Sequence, residues 1–118
     1  MAISRLPQDR WSWVEINQGA LRRNTRAFKS LLNPRQRLCC VVKADAYGHG
    51  AVACAKVMYA TGADMFAVAT VKEGVELREG GIISPILLLS EPPAESIDLL
   101  LEHDIMPSVY TFEFALAY

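Results

Sequence analysis

Four short apolar runs constrain this chain more than anything else in its sequence. They lie at 38–42, 65–69, 85–89 and 105–109, and the first three lead into segments of helical or turn character. Continuous apolar runs of this length suit strands buried on both faces of a sheet. After the first run and a glycine-bearing loop, Ala51, Cys54, Ala55, Met58 and Tyr59 recur at helical spacing until Gly62. After the second, Thr70 and Glu73 form a capping-box pattern for a helix ending near Gly80-Gly81. Pro92-Pro93 opens a helix over Ile97, Leu100 and Leu101, and Thr111 can cap a last one. Pro107 weakens the fourth strand.

Strand and helix alternate at roughly 20–25 residues per unit, which implies parallel strands joined by right-handed crossovers. Pattern alone admits an open doubly wound sheet or part of a (β/α)8 TIM-type barrel. No GxGxxG or GxxxxGK[ST] follows a strand, which counts against the nucleotide-binding open sheets. Four units in 118 residues make about half of such a barrel, since eight need about 250. The expectation from pattern is an α/β parallel sheet which, if it is a barrel, is only partly built by residues 11–118. Before the barrel, 1–10 reads as an irregular lead-in. Trp11 to Ile16 alternates like a strand. Asn17 then caps a helix whose apolar stripe is Leu21, Ala27, Phe28, Leu31 and Leu32, stopped by Asn33-Pro34.

A net charge of −1 offers no footprint for nucleic acid or an anionic membrane. Arg22, Arg23, Arg26 and Lys29 cluster on one side of the first helix, as a solvated face would. Cys39, Cys40 and Cys54 lack paired metal-ligand spacing, no metal site is expected, and all three read as small buried hydrophobes in a reducing compartment. The opening MAISRLPQDRW has no apolar signal core and no run approaches a membrane span, so the expected location is the cytoplasm.

The segment VVKADAYGHG at 41–50 carries the chemistry. Lys43 ends an apolar strand, and in a barrel the C-terminal strand ends form the active face. The amine of a lysine so placed is a nucleophile that can attack an aldehyde. The plain alternative is a lysine snorkelling at a strand end. Tyr47 can donate its phenol to a phosphate oxygen, and Gly48 and Gly50 allow tight turns and close backbone approach. His49 reads as a residue that orders the loop, and His103, near a helix end, as structural.

VVKADAYGHG resembles the pyridoxal-phosphate (PLP) attachment motif of alanine racemases. WSWVEINQGALRRN is similar to that family's opening strand and helix, and FAVATVKEGVELREGGIISPILLLS to its next two units. The resemblance implies an N-terminal barrel followed by a mainly β C-terminal domain with which the Trp11–Ile16 strand would pair. It also implies a cytoplasmic homodimer that acts on a small amino acid, supplying D-alanine for the cell wall. By position, Lys43 matches the lysine that binds PLP covalently and serves as one of two opposed acid/base groups. Tyr47 matches a tyrosine near the cofactor phosphate, and Leu89 an apolar residue beside the pyridine ring. On its residue type alone, Leu89 equally suits ordinary barrel core. Ser90 stands where the family often has glycine. The family's second base is a tyrosine of the other subunit's C-terminal domain, and its pyridine-facing arginine and most of its phosphate cradle lie on later segments. Neither Tyr110 nor Tyr118 matches these. Serine or broad-specificity racemisation, and non-catalytic PLP binding on the same barrel, stay open as alternatives.

Overall fold

The computed structural model describes residues 11–118, so the lead-in at 1–10 lies outside the described residues. Four strands, β1 (Cys39–Val41), β2 (Met65–Val68), β3 (Ile86–Leu88) and β4 (Ile105–Met106), form one parallel sheet in chain order. Around them run α1 (Gln18–Ser30), α2 (Ala51–Tyr59), α3 (Val71–Glu79), α4 (Ile97–Glu102), preceded by a 3-10 turn (Ala94–Ser96), and α5 (Phe112–Ala117). Sequential parallel pairing of this kind is consistent with part of a (β/α)8 barrel.

Local sequence sets the helix starts. Asn17 Oδ1 accepts from the Ala20 N–H at 2.9 Å, and Thr111 Oγ1 accepts from the Phe114 N–H at 3.2 Å. At α3 the capping box closes both ways between Thr70 and Glu73. The strands are shorter than the apolar runs that announce them, and β4 stops before Pro107, which has no N–H to donate.

Register places Cys40, Phe66, Ile86 and Ile105 in one row across the sheet. Phe66, Ile86, Leu88, Val68 and Ile105 are at most 1% exposed, and pack with Cys54, Ala55, Met58, Leu77 and Leu100 from the helices. The opposite face carries Cys39, Val41, Leu87 and Met106, of which Cys39, Val41 and Met106 are exposed. The expectation of strands buried on both faces holds for β2, where Ala67 on this second face is 1% exposed, and is corrected for β1 and β4, whose residues there are exposed. Cys39 and Cys40 share the correction, being exposed and half-buried on a strand with a neighbour on one side only. Cys54 is buried, and desolvation followed by the charge of Asp45 pushes its thiol up.

The front of the chain differs from its pattern too. Trp11 to Ile16 forms no strand, because no described strand lies beside it to share hydrogen bonds, and Trp11, Trp13 and Val14 are exposed. In α1 the inward line is Leu21 and Thr25, with Thr25 Oγ1 donating to the Leu21 carbonyl at 2.8 Å, while Phe28 and Leu31 are exposed. Lys29 leaves the solvated face to pair with Asp64, whose carboxylate also accepts from the Leu38 N–H. The Lys29 hydrogen bond, then that of Leu38, hold Asp64 below the usual carboxylate range. Leu101 in α4 is likewise exposed rather than core.

Arg78 ties the far side of the sheet together. Its guanidinium donates to the carbonyls of His103 (2.7 Å), Ile82 (2.8 Å), Ser84 (2.7 Å) and Asp104 (2.7 Å). One planar fork thereby satisfies the loops entering β3 and β4. His103 is held through its carbonyl at the end of α4, the structural part expected of it. The Asp104 carboxylate, 3.9 Å from the guanidinium and 99% exposed, adds little to this. In denaturant titration of the complete protein, Arg78→Ala should therefore cost about 2–4 kcal/mol. Asp104→Asn, which removes the charge but keeps the tolerance for positive φ, should leave the midpoint unchanged. A comparable loss in both variants would mean that the ion pair, not the carbonyl fork, holds these loops.

Candidate active site

β1 delivers the chain to its C-terminal rim, where the backbone changes hand. Val42 is buried, and Ala44 to Tyr47 then take φ of 51 to 56° and ψ of 38 to 49°, one turn of left-handed helix. Such a turn costs non-glycine residues roughly 1–2 kcal/mol each. Local hydrogen bonds offset this. The Ala46 N–H donates to the Val42 carbonyl (2.9 Å), and the Gly50 N–H to that of Asp45 (2.9 Å). Asp45 Oδ1 accepts from the Ala51 N–H at 2.7 Å, fastening the turn to the start of α2. His49 Nδ1 lies 3.0 Å from the Ala46 carbonyl and 3.2 Å from that of Tyr47, the loop-ordering part its sequence position suggested. Gly48 and Gly50 have φ of +83° and +89°, yet a Cβ on either would meet nothing within 4 Å. Their positive φ is the tight-turn conformation that the sequence suggested for them.

Lys43 enters this turn half-buried, and its amine has no hydrogen bond or ion pair among the described residues. Carrying the register of β2 to β4 onward aligns Ala69, Leu89 and Ser108, whereas the chain has already left extended backbone at Val42 (φ −126°, ψ 23°), just before Lys43. Leu89 follows β3, two strands from β1. Tyr47 is on the same turn as Lys43, exposed, with no partner for its hydroxyl among the described residues. It lines a cavity of about 490 Å³ with Ile16, Leu21, Val41, His49 and Met58. Lys43 does not line that cavity. The structure thus brings Lys43 and Leu89 to the same C-terminal end of the sheet, and sets Tyr47 at the border between that rim and the space beside α1.

Glu73 is the residue that sequence reasoning read only in part. Its Oε2 accepts from the Ala69 (2.7 Å) and Thr70 (3.1 Å) N–H groups, as a helix-capping glutamate can. Its Oε1 accepts from the Ala44 N–H at 2.8 Å, across 29 residues of sequence. Burial alone would raise the Glu73 carboxyl, but the three backbone donors and the nearby charge of Lys43 hold it below its usual value. The capping pattern announced the first contacts; nothing local announces the third.

Similar ties continue around the rim. Ser90 Oγ donates to the Ala69 carbonyl (2.9 Å) and Ser108 Oγ to that of Leu88 (2.8 Å). The Glu91 carboxylate accepts from the Tyr110 and Thr111 backbone N–H groups and from Thr111 Oγ1, and the Tyr110 hydroxyl donates to the Leu89 carbonyl. Where a glycine would leave this position bare, Ser90 supplies a strand-to-strand hydrogen bond.

This parallel α/β sheet, with Lys43 just past the C-terminal end of its first strand, has counterparts among known proteins. The family described as "Alanine racemase, N-terminal domain" matches residues 16–118. An alanine racemase of Synechocystis is 56% identical over 78 residues, covering 66% of this chain and 21% of that protein. One of Carboxydothermus hydrogenoformans is 44% identical over 106 residues, covering 90% and 28%. Among solved structures, alanine racemase from Bacillus anthracis with bound L-Ala-P superposes with a TM-score of 0.88 at 35% identity, covering 92% of this chain and 28% of that one. The enzyme from E. faecalis gives 0.84 at 39%, covering 86% and 28%. This chain belongs to the alanine racemase N-terminal-domain family, and it spans about a quarter of the length of the relatives it matches.

The handedness of the turn makes a prediction of opposite signs. Ala44 and Ala53 are both exposed alanines in helical conformations, one left-handed and one within α2. Ala44→Gly should stabilise the complete protein by up to about 1 kcal/mol, whereas Ala53→Gly should destabilise it by about as much. Denaturation midpoints that fall in both variants would contradict the left-handed turn.

Proposed function

We propose that this chain is the lysine-bearing part of an alanine racemase that acts on alanine with PLP, and that Lys43 carries the cofactor. The observation behind this is the Lys43 amine, unengaged among the described residues, at the mouth of β1 within VVKADAYGHG. The surrounding groups suit the cofactor. The nearby Glu73 carboxylate is occupied by three backbone donors and makes no ion pair with the amine. The Tyr47 hydroxyl is available to an acceptor, and Ala69 and Leu89, which follow β2 and β3 at the same end of the sheet, are uncharged. In this reading Lys43 binds PLP covalently, Tyr47 donates to its phosphate and Leu89 packs beside its ring.

PLP, when bound, supplies an electron sink for the charge that develops at the substrate α-carbon. Lys43 then holds or releases a proton at that carbon on one face. The opposed acid/base is the tyrosine of a second subunit, which makes the working enzyme a homodimer and places that residue outside this chain. The product is D-alanine for cell-wall synthesis, made in the cytoplasm. Among the described residues no helix is long and apolar enough to cross a membrane.

Borohydride reduction of the complete protein loaded with PLP, followed by peptide mapping, should place the pyridoxyl label on Lys43. A label on Lys56 or Lys72 would overturn the assignment. Racemisation of L-alanine should depend on PLP and exceed that of L-serine. A labelled but inactive protein would instead be a cofactor carrier. Tyr47→Phe should weaken PLP binding by about 0.5–1.5 kcal/mol, and an unchanged dissociation constant would reject its phosphate contact.

A further inference from the structure

We infer that Glu73 is a positioning residue for Lys43, fixing through the Ala44 N–H where the lysine leaves β1; this rests on the PLP-lysine reading above. A glutamate three residues into a helix needs one oxygen on the cap N–H, and Glu73 meets that need with Oε2 alone. Oε1 is turned away from α3 to Ala44, the residue that follows Lys43 and the first of the left-handed turn.

The turn's other fastenings lie further along. The Ala46 N–H reaches back to Val42, His49 and Gly50 close on Ala46 and Asp45, and Asp45 reaches forward to Ala51. None of them holds the Ala44 N–H. Glu73 alone supplies its acceptor among the described residues, where the chain passes from strand to reversed helix. The same carboxylate grips Ala69, whose carbonyl accepts from Ser90. The exit of β1 is thereby referenced to the ends of β2 and β3, the strand that bears Leu89.

Glu73→Gln separates this role from capping. With two donors converging on one oxygen and one on the other, the amide oxygen takes the Ala69–Thr70 pair and its NH2 faces the Ala44 N–H, so the cap survives while the link to Ala44 does not. Thr70→Ala does the reverse, weakening the box but leaving Ala44 bonded. In the complete, cofactor-free protein, hydrogen exchange over 43–50 should quicken by about tenfold in Glu73→Gln and stay within about threefold of wild type in Thr70→Ala. In the loaded protein, Glu73→Gln should lower kcat for alanine by roughly 10–100-fold with KM within about threefold, and Thr70→Ala should leave kcat within about threefold.

Unchanged protection over 43–50 in Glu73→Gln would overturn the inference. So would equal losses in the two variants, spread over 71–79 as much as over 43–50, because Glu73 would then be a helix cap and nothing more. Borohydride mapping of wild type is the separate arm: a label away from Lys43 overturns the PLP-lysine reading, while the exchange data still decide whether Glu73 fixes the turn.

Discussion

Phe66, Val68, Ile86, Leu88 and Ile105 lie on one face of a four-stranded parallel sheet, and α2, α3 and α4 close over them with Cys54, Ala55, Met58, Leu77 and Leu100. Burying a large apolar side chain is worth about 1.5–3 kcal/mol, so this layer outweighs any single polar contact in the chain. It also decides orientation. Once the even-numbered residues of β1 to β3 face the helices, the odd-numbered ones, Val41 and Leu87 among them, must face the other way. Leu89 continues that direction past β3, and Lys43 follows where the chain leaves β1.

Packing sets the faces, but polar ties set the rim. Parallel strands leave the backbone at their C-terminal ends without ladder partners, and here side chains answer in sequence: Glu73 between β1 and β2, Ser90 between β2 and β3, Ser108 and Glu91 between β3 and β4. Arg78 does similar work at the opposite end. A site on such a rim is held by short hydrogen bonds to backbone rather than by mobile loop side chains.

Much of this was legible in the sequence. The order of strands and helices from α1 onward and the caps at Asn17, Thr70 and Thr111 all follow from local chemistry, and the structure keeps each, while the strand expected over 105–109 ends at Met106. What failed depended on neighbours that a local pattern cannot name. Alternation marked Trp11 to Ile16 as a strand, but a strand exists only beside another. Apolar composition marked β1 as doubly buried, though its Cys39 and Val41 are exposed. The long-range acceptor of Ala44 was hidden for the same reason: Glu73 advertises its helix, not the turn it also holds. For the site, the motif pointed to Lys43 and Tyr47 but not to the reversed hand between them, since Ala-Asp-Ala-Tyr reads as ordinary right-handed helix.

That reversed hand filters which residues the segment can accept. A second γ-branch on Ala44, Asp45, Ala46 or Tyr47 would crowd the neighbouring carbonyl in this backbone, so valine, isoleucine and threonine are poor substitutes however well their size or polarity suits the site. Small alanines and an aspartate that bonds locally are the compatible vocabulary, and mirror-image amino acids would fit the same torsions without strain. An alphabet this narrow also limits how the neighbourhood of the lysine can drift. New specificity would have to be written elsewhere on the rim, on strand ends whose backbone keeps the ordinary hand.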